Sequence, residues 1–123
     1  MESACFLIVD DEELNRELLE GMVEGLGYRC ETVSSGPEAL ARLHPGIDLV
    51  LLDVMMPGMD GYEVARRLRA DPRHGDVPII MVTALSDKAD RLRAVEAGAN
   101  DFIAKPVDKT ELRVHTASLL KMK

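Results

Sequence analysis

Along this chain, short aliphatic runs alternate with stretches in which apolar residues recur every three or four positions. CFLIV (residues 5–9) is continuous and apolar, as a strand buried on both faces should be. In ELNRELLEGMVEGL (13–26), Leu14, Leu18, Leu19, Met22, Val23 and Leu26 fall at helical spacing, and Gly27 stops the run. The alternation repeats in YRCETV (28–33), PEALARLH (37–44) and DLVLLD (48–53). After a turn at Pro57-Gly58 come YEVARRLRA (62–70), VPIIMV (77–82) and a helix from about Asp87 to Ala97, closed by Gly98. DFI (101–103) predicts a short strand. Asp108, with Glu111 three residues on, caps a last helix. Aliphatic strands separated by helices predict an α/β fold, a doubly wound parallel sheet of five strands covered on both faces by five helices.

Composition changes this picture little. The 123 residues suit one domain, and 46% hydrophobic content is enough for a core. A formal net charge of −7 argues against a surface that grips phosphate backbones or anionic lipid unaided, so no direct nucleic-acid binding by this domain is expected. No apolar run approaches the roughly 20 residues of a membrane span. Met1-Glu2-Ser3 opens without a basic region, and a soluble, cytoplasmic protein is expected. Cys5 and Cys30 lie in strand-like runs and read as reduced, small hydrophobes without a functional role.

The chemistry gathers at one edge. In open doubly wound sheets the site lies outside the carboxyl ends of the strands. Asp10 and Asp11 follow the first strand, Asp53 ends the third, Thr83 follows the fourth and Lys105 follows the fifth. Singly, each has a bland reading. Asp10 or Asp11 can cap the next helix, Asp53 can be a turn residue, and Lys105 can be a solvated side chain. Together they place acid, hydroxyl and cation on one rim.

At these positions the sequence resembles the receiver domain of two-component response regulators over essentially the whole chain. The motifs are VDDE (9–12), LLDVMMPGMDG (51–61), VTAL (82–85) and FIAKP (102–106). The resemblance implies a flavodoxin-like sheet of strand order 2-1-3-4-5. It also implies that Asp53 accepts a phosphoryl group from the phosphohistidine of a sensor histidine kinase or phosphotransfer protein. Mg²⁺ would be held by Asp11 directly, by Asp10 through water or hydrogen bonds, by Asp53, and by the backbone carbonyl of Met55. Thr83 and Lys105 match the phosphate-sensing hydroxyl and the cationic partner. Phe102 stands where the family carries its switch aromatic, commonly Tyr, so only the packing part of that switch carries over. Lys105-Pro106 matches the family's cis peptide.

Physical reasons support such a set. Three carboxylates at one rim repel one another, and a hard, oxygen-seeking ion relieves the repulsion. Phosphoryl transfer needs mostly positioning and charge neutralisation, to which Lys105 and the backbone N–H groups of Val54 and Ala84 can contribute. Rival classes fit less well. A flavin mononucleotide carrier wants a Gly/Ser/Thr cradle where this chain has VDDEELN. An aspartate-nucleophile hydrolase wants its nucleophile on the first strand and a second acid two residues later, whereas Asp10 and Asp11 are adjacent. A receiver that binds partners without phosphorylation is a third class, one that the intact set of site residues disfavours.

The chain is therefore expected to be a phosphoacceptor with self-catalysed transfer and slow autodephosphorylation, not an enzyme with turnover. In the family it resembles, the residues two past the acceptor and two past the threonine flank the path of the hydrolytic water; here these are Met55 and Leu85, which are apolar and cannot orient it. Helix five ends in Lys121-Met122-Lys123 without a glycine stop, which leaves open a fraying terminus or a receiver cut from a longer protein with a C-terminal output domain. Arg91 and Glu111 could form one cross-pair of the family's dimer, but Ala97 and His115 replace an acid and an arginine. A mainly monomeric unphosphorylated domain is expected, with any dimerisation rising on phosphorylation.

Overall fold

The computed structural model describes residues 3–84 and 87–121. Strands and helices alternate throughout: β1 (Cys5–Val9), α1 (Glu13–Gly25), β2 (Arg29–Val33), α2 (Gly36–Arg42), β3 (Leu49–Asp53), α3 (Gly61–Ala70), β4 (Ile79–Thr83), α4 (Lys88–Ala97), β5 (Asp101–Ala104) and α5 (Lys109–Lys121). The strands pair in parallel in the order β2-β1-β3-β4-β5. That is the doubly wound, flavodoxin-like sheet predicted above.

Side-chain parity divides the core. Phe6 pairs with Leu49, and Ile8 with Leu51, which pairs in turn with Ile80. These residues, with Val82 and Ile103, pack under Leu19 and Val23 of α1 and Leu112 and Leu119 of α5. The alternate set, Leu7, Val9, Val50, Leu52, Ile79 and Met81, packs against Ala39 of α2, Val64, Ala65 and Leu68 of α3, and Ala94 and Ala97 of α4. A one-residue slip of any central strand would exchange the two sets, so burial on both faces fixes the register.

Boundaries shift by a residue or two for local reasons. β3 begins at Leu49 because Asp48 turns out to accept the Cys5 amide through Oδ2 (2.9 Å). Pro78 carries no N–H for the ladder, and β4 starts after it. Thr83 is the last residue of β4, where the sequence placed it just past the strand. α2 ends at Arg42, short of the predicted His44, with Leu43 extended. Both cysteines are free thiols; Cys5 is buried, whereas Cys30 is only half-buried. Among the described residues no helix is long and apolar enough to cross a membrane.

Helix ends are fixed by side chains. Asp60 accepts the Glu63 amide (2.9 Å), Asp87 the Asp90 amide (2.8 Å) and Asp108 the Glu111 amide (2.9 Å). α4 closes on Gly98 in the left-handed conformation (φ 110°). The apolar stripe of α1 splits. Leu19 and Val23 are buried, whereas Leu14 and Leu18 are 67% and 54% exposed.

Gly61 sets how closely α3 approaches the end of β3. A Cβ there would lie 2.3 Å from the Asp53 carbonyl oxygen and 2.8 Å from Val54 Cα. Ala would gain about 1 kcal/mol of helix propensity, but forcing backbone apart costs about 1–3 kcal/mol or more. Gly61→Ala is expected to lose about 1 kcal/mol net in urea unfolding; a variant more stable than the parent would contradict this close-packing account.

Candidate functional site

Parity also assembles the rim. Asp53 continues the Leu49, Leu51 set of β3, Asp10 continues Phe6 and Ile8, and Lys105 continues Ile103, so all three project toward the α1 and α5 side. Val9 pairs with Leu52, which sets Asp10 beside Asp53. The Lys105 amide donates to the Thr83 carbonyl (2.8 Å), extending the β4–β5 ladder by one rung and anchoring the lysine. Lys105-Pro106 is cis, as the resemblance implies.

Lys105 Nζ donates to Asp10 Oδ2 and to Asp53 Oδ1, each at 3.2 Å. Asp10 is fully buried and Asp53 is 4% exposed. Two carboxylates thus share one cation in a nearly dry setting. Burial, with repulsion from Asp10 behind it, pushes the Asp53 carboxyl up to about 6, although Lys105 pulls the other way. Burial alone would lower the Lys105 ammonium, but Asp53 and Asp10 outweigh it and leave it raised.

Asp11 and Glu12 complete the acidic edge. Carboxylate oxygens of Asp10, Asp11 and Glu12 all lie within 4.8 Å of one another. Such an all-oxygen, carboxylate-rich set fits a hard divalent ion such as Mg²⁺. Glu12 was not among the residues singled out in the sequence; it holds the N-cap position of α1 without a side-chain capping bond. Asp10 Oδ1 instead accepts the Glu12 amide (2.9 Å) in the loop before the helix, so Asp10 caps no helix, and its other oxygen meets Lys105. Arg16, also unforeseen, donates from Nη1 to the Asp10 carbonyl oxygen (2.8 Å) and pins the loop from the helix side. No spacing rule announces a bond six residues back along a loop.

Of the remaining predicted residues, Val54, Met55, Thr83 and Ala84 occupy the same rim, whereas Phe102 lies inside β5, short of its end. Val54 is buried directly after β3, and the Met55 side chain is 62% exposed beyond it. Ala84 is exposed at the end of β4. Thr83 is fully buried and, by parity, faces the α3 and α4 side, opposite to Asp53. Phe102 pairs with Met81 while Thr83 pairs with Ala104, so the aromatic and the hydroxyl are diagonal neighbours on that same face. Phe102 is half-buried against the core, with the Arg91 guanidinium 5.8 Å from its ring centre. Leu85, expected beside the water path, lies outside the described residues, as do Met122 and Lys123.

The comparisons with known proteins converge on one family. The family model for the response regulator receiver domain matches residues 6–117, and the chain belongs to that family. It is 43% identical over 122 residues to the response regulator PleD of Caulobacter vibrioides, covering 98% of this chain and 27% of that protein. Among solved structures, it matches the signal receiver domain of a signal transduction histidine kinase from Syntrophus aciditrophicus at 40% identity and a TM-score of 0.85, covering 97% of this chain and 91% of that one. It also matches the receiver domain of sensor histidine kinase PA1611 from Pseudomonas aeruginosa PAO1, with a magnesium ion coordinated in its active site cleft, at 34% identity and a TM-score of 0.87, covering 97% and 98%. The chain spans from about a quarter to a half of the length of the curated relatives it matches.

The raised Asp53 carboxyl has a consequence for stability. It holds its proton more tightly folded than unfolded, so the stability it confers is complete below about pH 4 and lost as pH rises through about 6. In metal-free buffer at pH 7, Asp53→Asn is therefore expected to be more stable than the parent by roughly 2 kcal/mol, the gain vanishing near pH 4. Thermal melts at the two pH values measure it; a less stable variant at pH 7 would contradict the electrostatic reading.

Proposed function

We propose that this receiver domain is activated by phosphorylation at Asp53, with Mg²⁺, and that the phosphoryl donor is the phosphohistidine of a sensor histidine kinase or phosphotransfer protein. The observation that carries the reading is the pair of buried carboxylates, Asp10 and Asp53, sharing the single ammonium of Lys105. That trio is one positive charge short of neutral, next to further acid at Asp11 and Glu12. Asp11 and the Met55 carbonyl would ligate the ion directly, Asp53 would share it, and Asp10 would hold it through water or hydrogen bonds. Bound Mg²⁺ would neutralise the acid cluster and the oxygens of the incoming group.

In the transfer, an Asp53 carboxylate oxygen forms the new P–O bond as the P–N bond to the donor imidazole breaks. The electron pair and a proton stay with the imidazole. Lys105, held beside Asp53, contacts the transferred group, and the Val54 and Ala84 amides donate to its remaining oxygens. The phosphoaspartate draws the Thr83 hydroxyl toward the rim, and Phe102, its diagonal neighbour, follows by repacking. The domain is thus an acceptor that promotes its own phosphorylation. Apolar Met55 and Leu85 offer no group to orient water, so the product is expected to be long-lived.

A groove of about 380 Å³ beside Lys105 and Pro106, lined by Leu18, Leu19, Met22 and Val107, gives the donor protein a place to dock. Exposed Leu14 and Leu18 extend that surface. The output is a downstream effector domain or protein, and the setting is cytoplasmic. His115 closely contacts Asp101 and lies near Glu111 (3.9 Å) within one chain, and Arg91 covers Phe102. These groups are engaged internally, which supports a mainly monomeric resting domain, any dimerisation rising with phosphorylation.

Incubation with Mg²⁺ and acetyl phosphate is expected to give one acid-stable, alkali-labile phosphate per chain, absent in Asp53→Ala; stoichiometric labelling of the variant would sink the assignment. Asp11→Ala is expected to weaken Mg²⁺ binding by roughly 10- to 100-fold, on the scale of a lost metal-site contact, whereas Glu13→Ala, on the exposed start of α1, leaves it within about twofold. Equal losses would displace Asp11 as a ligand. Lys105→Ala should still take up phosphate yet lose the coupled conformational change, which amide NMR reports.

A further inference from the structure

Tyr62 is the only buried side chain among the described residues whose polar atom lacks a partner. The residue is 2% exposed and its hydroxyl meets no hydrogen-bonding group. A buried hydroxyl left unpaired forfeits its hydration, which shifts an equilibrium by about tenfold or more. Such a group in a well-packed core calls for a physical explanation.

Its position supplies one. Tyr62 follows Gly61, whose amide donates to the Val54 carbonyl (2.9 Å) and whose Cα abuts the Asp53 backbone. On its other side the Arg93 guanidinium of α4 lies 4.2 Å from the ring centre, a cation–π contact. Tyr62 therefore links the exit of the Asp53 strand to α4, in the same core cluster against which Phe102 packs. Burial raises the phenol's pKa; Arg93 opposes this, and the carboxylates of Asp90, Asp60 and Asp87 add to it, which puts three acceptors in the neighbourhood. Asp60 and Asp87 are occupied as helix caps. Asp90, half-buried in the first turn of α4, caps no helix; its carboxyl lies beside Asp87 and Arg93 and keeps acceptor capacity for a further donor.

We propose that Tyr62 is a latch for α4: its hydroxyl is unpaired in the resting chain and donates to the Asp90 carboxylate once occupancy of Asp53 shifts the helix. The inference rests on the phosphoacceptor reading above. A bond available in only one of two states biases the equilibrium by its full differential. The resting chain buries the hydroxyl unsatisfied, and the shifted chain pairs it.

The test uses the chain with Mg²⁺ and beryllofluoride, a phosphoryl mimic, with the shifted fraction of α4 read from the amide NMR signals of residues 88–98. Tyr62→Phe is expected to bind beryllofluoride with the parent's stoichiometry while its ratio of shifted to resting helix falls about tenfold. Asp90→Ala should match that loss, Asp90→Asn should keep most of the shift because it retains an acceptor oxygen, and the double variant Tyr62→Phe/Asp90→Ala should lose no more than either single one. Without beryllofluoride, Tyr62→Phe should melt at or above the parent's temperature, since it removes an unsatisfied group. The latch is overturned if Tyr62→Phe shifts as fully as the parent, if Asp90→Asn fails alongside Asp90→Ala, or if the two losses add. Failure of the parent itself to bind beryllofluoride would overturn the phosphoacceptor reading, and the latch with it.

Discussion

One ammonium group between two buried carboxylates organises this molecule. Lys105 Nζ sits 3.2 Å from both Asp10 and Asp53, although ionised acids avoid dry surroundings and like charges avoid each other. Only the fold can hold that arrangement. Three strands must end at one level, their side-chain parity must agree, and Gly61 must let α3 approach the Asp53 backbone without a Cβ in the way. The aliphatic sheet beneath provides this rigidity. Leu51 and Leu52 are buried on opposite faces, so β3 can neither slide nor twist without unpacking one layer.

The same arrangement is electrostatically incomplete, and that incompleteness is the basis for the proposed chemistry. A single lysine leaves the pair one positive charge short, with more acid at Asp11 and Glu12 alongside. A dication and a phosphoryl group would together bring the charges the rim lacks and those that Lys105 can meet. Thr83 lies on the far face of the sheet from Asp53, in register with the layer that contains Phe102, Tyr62 and α4. A pull on its hydroxyl at the rim would therefore act on the opposite layer. The parity that gathers the acids also separates the site from its readout.

Much of this was legible in the sequence because the relevant signals are local. Continuous aliphatic runs marked β1, β3 and β4, and Asp108, with Glu111 three residues on, marked the start of the last helix; the Asp60 and Asp87 caps emerged only with the structure. Asp10, Asp53, Thr83 and Lys105 could be placed on one rim once the strands were ordered. What the sequence hid depends on three-dimensional contact. Leu14 and Leu18 share helical spacing with Leu19 and Val23, and only the packing angle of α1 decides that they face outward. Glu12 resembles any acid just ahead of a helix. Arg16 reaches back to a carbonyl, which every residue has. The Tyr62 hydroxyl looks like an ordinary polar handle until the structure buries it without a hydrogen-bond partner, with Arg93 over the ring. Asp10 showed its double role only in the fold, one oxygen serving the Glu12 amide and the other Lys105.

The central claim is that buried acid at the rim is held short of positive charge until a dication binds. Thermal unfolding of the intact chain across a series of Mg²⁺ concentrations, at pH 8 and again at pH 5, tests it directly. The account predicts a saturable rise in Tm with Mg²⁺ that is larger at pH 8, where Asp53, held near 6, is ionised, than at pH 5, where it is mostly protonated. A Tm indifferent to Mg²⁺, or raised equally at both pH values, would contradict it.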